Sequence, residues 1–116
     1  MGNYKELKLK LLQKANFTSK EEAEAFISSI LTQLGDIWKN YQIDTSKKAR
    51  RWVRYAPSYF ILNKKVGKYI AEIEALFVNL TKKIKSKSNL NDINKLINDV
   101  LMKNKELFNN PPSTLE

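Results

Sequence analysis

The residues best equipped for chemistry are the cations of Lys47-Lys48-Ala49-Arg50-Arg51-Trp52-Val53-Arg54-Tyr55, a stretch that also carries two aromatic rings. On a helix, Lys47, Arg50, Arg51 and Arg54 recur at three- and four-residue steps and share one stripe. Ala49, Trp52, Val53 and Ala56 fall on another face, so such a helix can dock its apolar side while offering guanidinium groups outward. A guanidinium is a planar fork that binds two phosphate oxygens at once. The stripe, together with Lys48, therefore predicts a grip on a nucleic-acid backbone. The competing assignment pairs the arginines with carboxylates of a neighbouring helix, with Trp52 in the core and Tyr55 half-buried. For Trp52 the core assignment is favoured; for the arginines, the ligand role. Lys64, Lys65 and Lys68 extend the basic surface on a face opposite Val66, Tyr69 and Ile70. Lys82, Lys83, Lys85 and Lys87 are auxiliary, because cations near a helix C-terminus also complement its dipole, by about 0.3–1 kcal/mol each.

Acid–base chemistry has less to stand on. The chain has no histidine and no cysteine, which removes thiolate metal sites, disulfides, Cys nucleophiles and His-based triads. Three glycines cannot make a Gly-rich phosphate loop. Glu72 and Glu74 stand two residues apart and point to different sides of a helix. Asp92 and Asp99 could share an exposed face, a spacing common in soluble helices. Neither enzymatic activity nor a cofactor or metal is expected.

The charge is segregated. The 116 residues carry a formal net charge of +9. Residues 1–44 balance six lysines with six acids, and residues 91–116 sum to −1. Residues 45–90 hold nine lysines and all three arginines against Glu72 and Glu74, a net +10. A genome-wide lysine bias would not segregate in this way. A localised cationic surface concentrates and steers polyanions.

The elements that must position these residues read as helices. Ala23, Phe26, Ile27, Ile30, Leu31, Leu34, Ile37, Trp38 and Tyr41 repeat at helical spacing and predict a helix over 19–41, with Thr18 and Glu21 as a capping box and Trp38 in the core. Gly35 suggests a close helix crossing, and Gly67 a softer point in its helix. Tyr4, Leu7, Leu11, Leu12 and Ala15 predict a shorter helix over 4–15. Gln42–Ser46 reads as a loop, followed by a basic helix over 46–56 that Pro57 ends. Ser58 caps a long helix over 58–85, and Asn91 a last one over 91–108. Whether Tyr59-Phe60-Ile61-Leu62 is core or interface stays open. The expectation is a single all-α domain over residues 1–110, a small antiparallel bundle of four to five helices. Residues 111–116 are expected to be a disordered tail whose Leu115-Glu116 end resembles a cloning remnant.

The run Ile37-Trp38-Lys39-Asn40-Tyr41, then Asp44, then Ser46 to Arg54, and later Asn63-Lys64-Lys65-Val66-Gly67-Lys68, resembles the bacterial linker-histone-like proteins over about residues 37–73. Pro57 and the lack of a Lys/Ala-rich tail depart from that pattern. The resemblance implies DNA-backbone binding carried by Lys48, Arg50, Arg51, Arg54 and Lys68, without sequence reading. The functional expectation is a non-enzymatic nucleic-acid-binding protein, with DNA favoured over RNA, from a phage, plasmid or nucleoid context. The alternative is a small helical interaction protein, of the bacteriocin-immunity or phage-inhibitor type, that binds an acidic protein or a membrane-associated partner. Anionic lipid comes third. No apolar run reaches the roughly 18–20 residues of a membrane span. The opening residues lack the apolar core of a signal peptide, and Glu6 does not fit N-myristoylation, so the cytoplasm is the expected location.

Overall fold

Helical periodicity in the sequence becomes, among the described residues of the computed structural model, five α-helices: α1 (Asn3–Leu11), α2 (Lys20–Arg51), α3 (Ala56–Lys85), α4 (Leu90–Lys103) and α5 (Lys105–Asn109), with a 3₁₀ turn at Ser113–Leu115. The structure describes the backbone of residues 3–51 and 56–115, and the side chains of residues 4–44 and 63–115. No strand occurs among the described residues. The all-α class is therefore as the sequence predicts. The molecule is elongated, 55 × 22 × 20 Å.

One core runs through the bundle. Ala23, Ile27, Ile30, Leu34, Ile37 and Tyr41 of α2 meet Val66, Tyr69, Ile70, Ile73, Phe77, Leu80 and Ile84 of α3 in a common buried cluster. Tyr4, Leu7 and Leu11 of α1 and Ile93, Ile97 and Leu101 of α4 complete it. Phe77 stacks on Phe108 of α5, with ring centroids 6.3 Å apart. The Tyr4 and Tyr69 hydroxyls lie 2.6 Å apart. Tyr4 also reaches the Phe108 carbonyl at 2.7 Å, and Tyr69 the Leu107 carbonyl at 2.6 Å. Two hydroxyl protons can fill two of these three contacts at a time, and the Leu107 carbonyl also accepts from the Asn110 N–H at 3.3 Å.

Several boundaries differ from the sequence reading, each for a physical reason. α1 ends at Leu11 rather than residue 15; a turn and a bend follow, and α4 holds the backbone of Ala15 and Phe17. The Asn98 carboxamide accepts from the Ala15 N–H at 2.6 Å and donates to the Ala15 carbonyl at 2.8 Å. Asn94, one helical turn away, does the same for Phe17, at 2.8 Å and 3.0 Å. Two side chains at i and i+4 on α4 thereby replace four helical backbone bonds of the strap 15–17. Leu12, expected inward, is left exposed where α1 unwinds.

The cap of α2 is shifted by one residue from Thr18 and Glu21. Ser19 Oγ accepts from the Glu22 N–H at 3.1 Å. The Glu22 carboxylate accepts from the Thr18 hydroxyl at 2.7 Å and the Thr18 N–H at 3.1 Å. These two bonds hold the Glu22 carboxyl below the usual glutamate range, the hydroxyl contributing most.

The expected loop at Gln42–Ser46 is helix, so the helices predicted at 19–41 and 46–56 are one element to Arg51. No glycine or proline interrupts this stretch, the Asp, Thr and Ser there cost at most about 0.7 kcal/mol each, and Asp44 precedes Lys48 at a favourable spacing. α3 begins at Ala56, with Pro57 in its first turn rather than Ser58 as cap. A first-turn proline has no helical hydrogen bond to lose. Asn89, not Asn91, caps α4 by accepting from the Asp92 N–H at 3.2 Å. The expected last helix divides at Asn104, whose own carboxamide donates to the Val100 carbonyl at 2.8 Å.

The expected disordered tail is also corrected over its described part. Ser113–Leu115 forms the 3₁₀ turn, Leu115 is 5% exposed, and the Thr114 hydroxyl lies 3.2 Å from that of Tyr41. An apolar side chain with a core position to fill overrides the Asn/Pro-rich composition before it.

The close approach suggested at Gly35 occurs at Gly67 instead. A Cβ at Gly35 would meet nothing within 4 Å, so no close crossing occurs there. A Cβ at Gly67 would come 3.0 Å from the Trp38 ring. Trp38, expected in the core, is half-buried: it lies against Gly67 and stacks on Tyr41 at 6.1 Å.

Candidate nucleic-acid interface

α2 and α3 form a long antiparallel hairpin. Among the described residues, the buried positions nearest its turn are Tyr41 on α2 and Val66 on α3. α2 runs ten residues beyond Tyr41, and α3 begins ten residues before Val66, about 15 Å of helix on each side. The backbone thus brings Lys47, Lys48, Arg50 and Arg51 of α2 to the same end as Lys64, Lys65 and Lys68 of α3. The side chains of Lys47, Lys48, Arg50, Arg51 and Arg54 lie outside the described residues, as do those of Trp52, Tyr55 and Tyr59-Phe60-Ile61-Leu62.

Lys64, Lys65 and Lys68 are exposed. Lys64 and Lys68 stand one turn apart on the same line of α3. Val66, Tyr69 and Ile70 are buried on the other side, as the sequence predicts. Gly67, between them, admits the Trp38 ring and so lets α3 lie close to α2 at this level. The lysines are thereby carried on a helix whose opposite face is fixed in the core.

Lys82, Lys83 and Lys85 are exposed in the last turn of α3, about 25 Å from this end by helical rise. The Lys20 ammonium donates to the Lys85 carbonyl at 3.1 Å. A cation at the C-terminal carbonyls is the role that helix electrostatics assigns to such a cluster.

The carboxylates do not assemble. Glu72, Glu74, Asp92 and Asp99 are each exposed. Among the described residues no group of three or more acidic side chains could hold a metal ion. No helix among them is long and apolar enough to cross a membrane. The sequence did not single out Asn94 or Asn98; asparagines on a helix read as surface or cap, and nothing local marks them as partners of a strap about eighty residues away.

Comparison with known proteins finds no matching family model, no matching curated protein and no matching solved structure.

Proposed function

We propose that this protein is a non-enzymatic nucleic-acid-binding protein that holds the phosphate backbone at the basic end of its α2–α3 hairpin, with little preference for sequence. The observation that carries the reading is the confinement of the charge excess to residues 45–90, seven of whose twelve cations, Lys47, Lys48, Arg50, Arg51, Lys64, Lys65 and Lys68, stand on the adjoining stretches of α2 and α3 at that end. Lys47, Lys48, Arg50, Arg51, Arg54, Lys64, Lys65 and Lys68 are the contact residues. Charge neutralisation alone supplies affinity but not base readout, so duplexes of different sequence should bind alike. DNA is the favoured polymer and the cytoplasm the favoured place.

A salt titration tests the reading. If Arg50, Arg51, Arg54 and two of the lysines contact phosphates, about five counterions are released, and the log–log slope on duplex DNA is about −4 to −5. Replacing the three arginines with Ala should reduce its magnitude by nearly three, while Ala at Lys103 and Lys105 changes it little. A parent protein that ignores nucleic acid at low salt sinks the reading. So does a triple variant that binds as well as the parent. The same residues would then be assigned to an acidic protein surface.

A further inference from the structure

A second binding surface lies away from the hairpin's basic end. Where α1 gives way to the strap, Leu11, Leu12, Gln13 and Lys14 face Asn98, Leu101, Met102 and Lys105 across a groove of about 350 Å³. That volume is at the small end of the ~300–1,000 Å³ typical of small-molecule pockets. Asn98, Leu101 and Met102 line it from α4, and Lys105 from the start of α5.

Its chemistry is two-sided. Leu11 and Leu101 are buried at its floor, whereas Leu12 is 37% and Met102 75% exposed. An unbranched thioether adapts readily to an apolar guest. The charged residues in the lining are Lys14 and Lys105, and none of the described lining residues is acidic. The two other described grooves contain carboxylates: Glu6 and Asp36 in one, Glu22 in the other. The amide of Asn98 is committed to the Ala15 backbone, so polar recognition of a guest falls to the lysines. Those same bonds fix the residue after Lys14 and hold that wall in place.

We propose that this groove binds a small amphiphilic carboxylate, its apolar tail on Leu12 and Met102 and its anionic head drawn to Lys14 and Lys105. Tail burial supplies the affinity, by removing apolar surface from water. The lysines supply the choice of head-group charge. The inference does not rest on nucleic-acid binding.

The test is a titration of the full chain with octanoate, octylammonium and acetate, followed by amide and methionine-methyl NMR shifts. Octanoate should move Leu12, Lys14, Met102 and Lys105 together, and acetate should not. Met102→Glu, at an exposed position, should weaken octanoate at least tenfold. Should that variant fail to fold, Met102→Gln takes its place with a smaller loss in the same direction. Lys14→Gln with Lys105→Gln should weaken octanoate about two- to tenfold, the range of two exposed ion pairs, and should not weaken octylammonium. Octylammonium binding as tightly as octanoate would overturn the proposal. So would octanoate shifts confined to the hairpin lysines, an unaltered affinity in both Met102 variants, or no shift at any concentration.

Discussion

Replacing Asn98 with Ala should destabilise the protein by about 2–3 kcal/mol. The change removes a donor and an acceptor that pair with one residue, at 2.6 Å and 2.8 Å. A typical internal hydrogen bond contributes about 0.5–1.5 kcal/mol net, so two contribute about 1–3. Ala15 is only 6% exposed, so water reaches the orphaned backbone groups poorly, and the loss falls in the upper part of that range. In a chain of this size that is a fall in Tm of roughly 10 °C. Asn98→Asp keeps the acceptor for the Ala15 N–H but turns a second oxygen towards the Ala15 carbonyl; its loss at neutral pH should be at least as large. Asn94→Ala should cost less, because Phe17 is half-buried. The double Asn94/Asn98 variant should lose less than the sum, since one released peptide frees the strap that both hold. Urea denaturation of each variant measures the losses, and amide exchange at Ala15 and Phe17 reports whether the strap has come away. An Asn98→Ala variant within about 0.5 kcal/mol of the parent, the range of a neutral surface change, would refute the assignment of the clamp. So would one no worse than Asn91→Ala on the exposed side of the same helix.

The two glycines should respond oppositely. Gly35→Ala should stabilise by about 0.5–1 kcal/mol, whereas Gly67→Ala forces the Trp38 ring aside and should destabilise by up to about 2 kcal/mol once the helix-propensity gain is deducted; thermal melts separate them, and Trp fluorescence should shift only in the second. The lowered pKa of Glu22 has a defined sign: its contribution is present above the unfolded-state pKa and is lost as pH falls through the folded one. The difference in urea midpoint between the parent and Glu22→Gln should therefore shrink on acidification from about pH 5 downward, and a difference independent of pH contradicts the Thr18 bonds. Leu115→Ala should cost near the low end of the ~2–5 kcal/mol of buried Leu truncations, measured by the same denaturation; no loss would mean that the 3₁₀ turn is not part of the core.

The buried faces were legible because they rest on a single physical regularity. Ile27, Ile30, Leu34 and Ile37, or Ile73, Phe77, Leu80 and Ile84, can all be buried together only on a helix, and the structure buries them. The errors fall where local propensity is weak and a distant partner decides. Gln42–Ser46 carries loop-favouring side chains but no backbone obstacle, so α2 continues. Pro111 and Pro112 suggest an end to structure, yet Leu115 finds a place in the core. Lys64, Lys65 and Lys68 were legible because burial of Val66, Tyr69 and Ile70 leaves them only the outer face. The groove lined by Lys14 and Lys105 was not legible, because those lysines stand some ninety residues apart in the chain and only the fold brings them to one groove.

The same clamp imposes an order on synthesis. The strap emerges from the ribosome first, but its anchors, Asn94 and Asn98, come about eighty residues later, and the Phe108 carbonyl that receives Tyr4 later still. At roughly 5–20 residues per second, the opening segment waits several seconds for its polar partners. During that interval Tyr4, Leu7 and Leu11 lack their full cover, while Lys5, Lys8 and Lys10, interspersed among them, keep the nascent segment charged. A chain stalled before residue 94 would present this half-apolar helix to whatever else is near, so vulnerability to misassembly is concentrated in the interval before Asn94 and Asn98 are made.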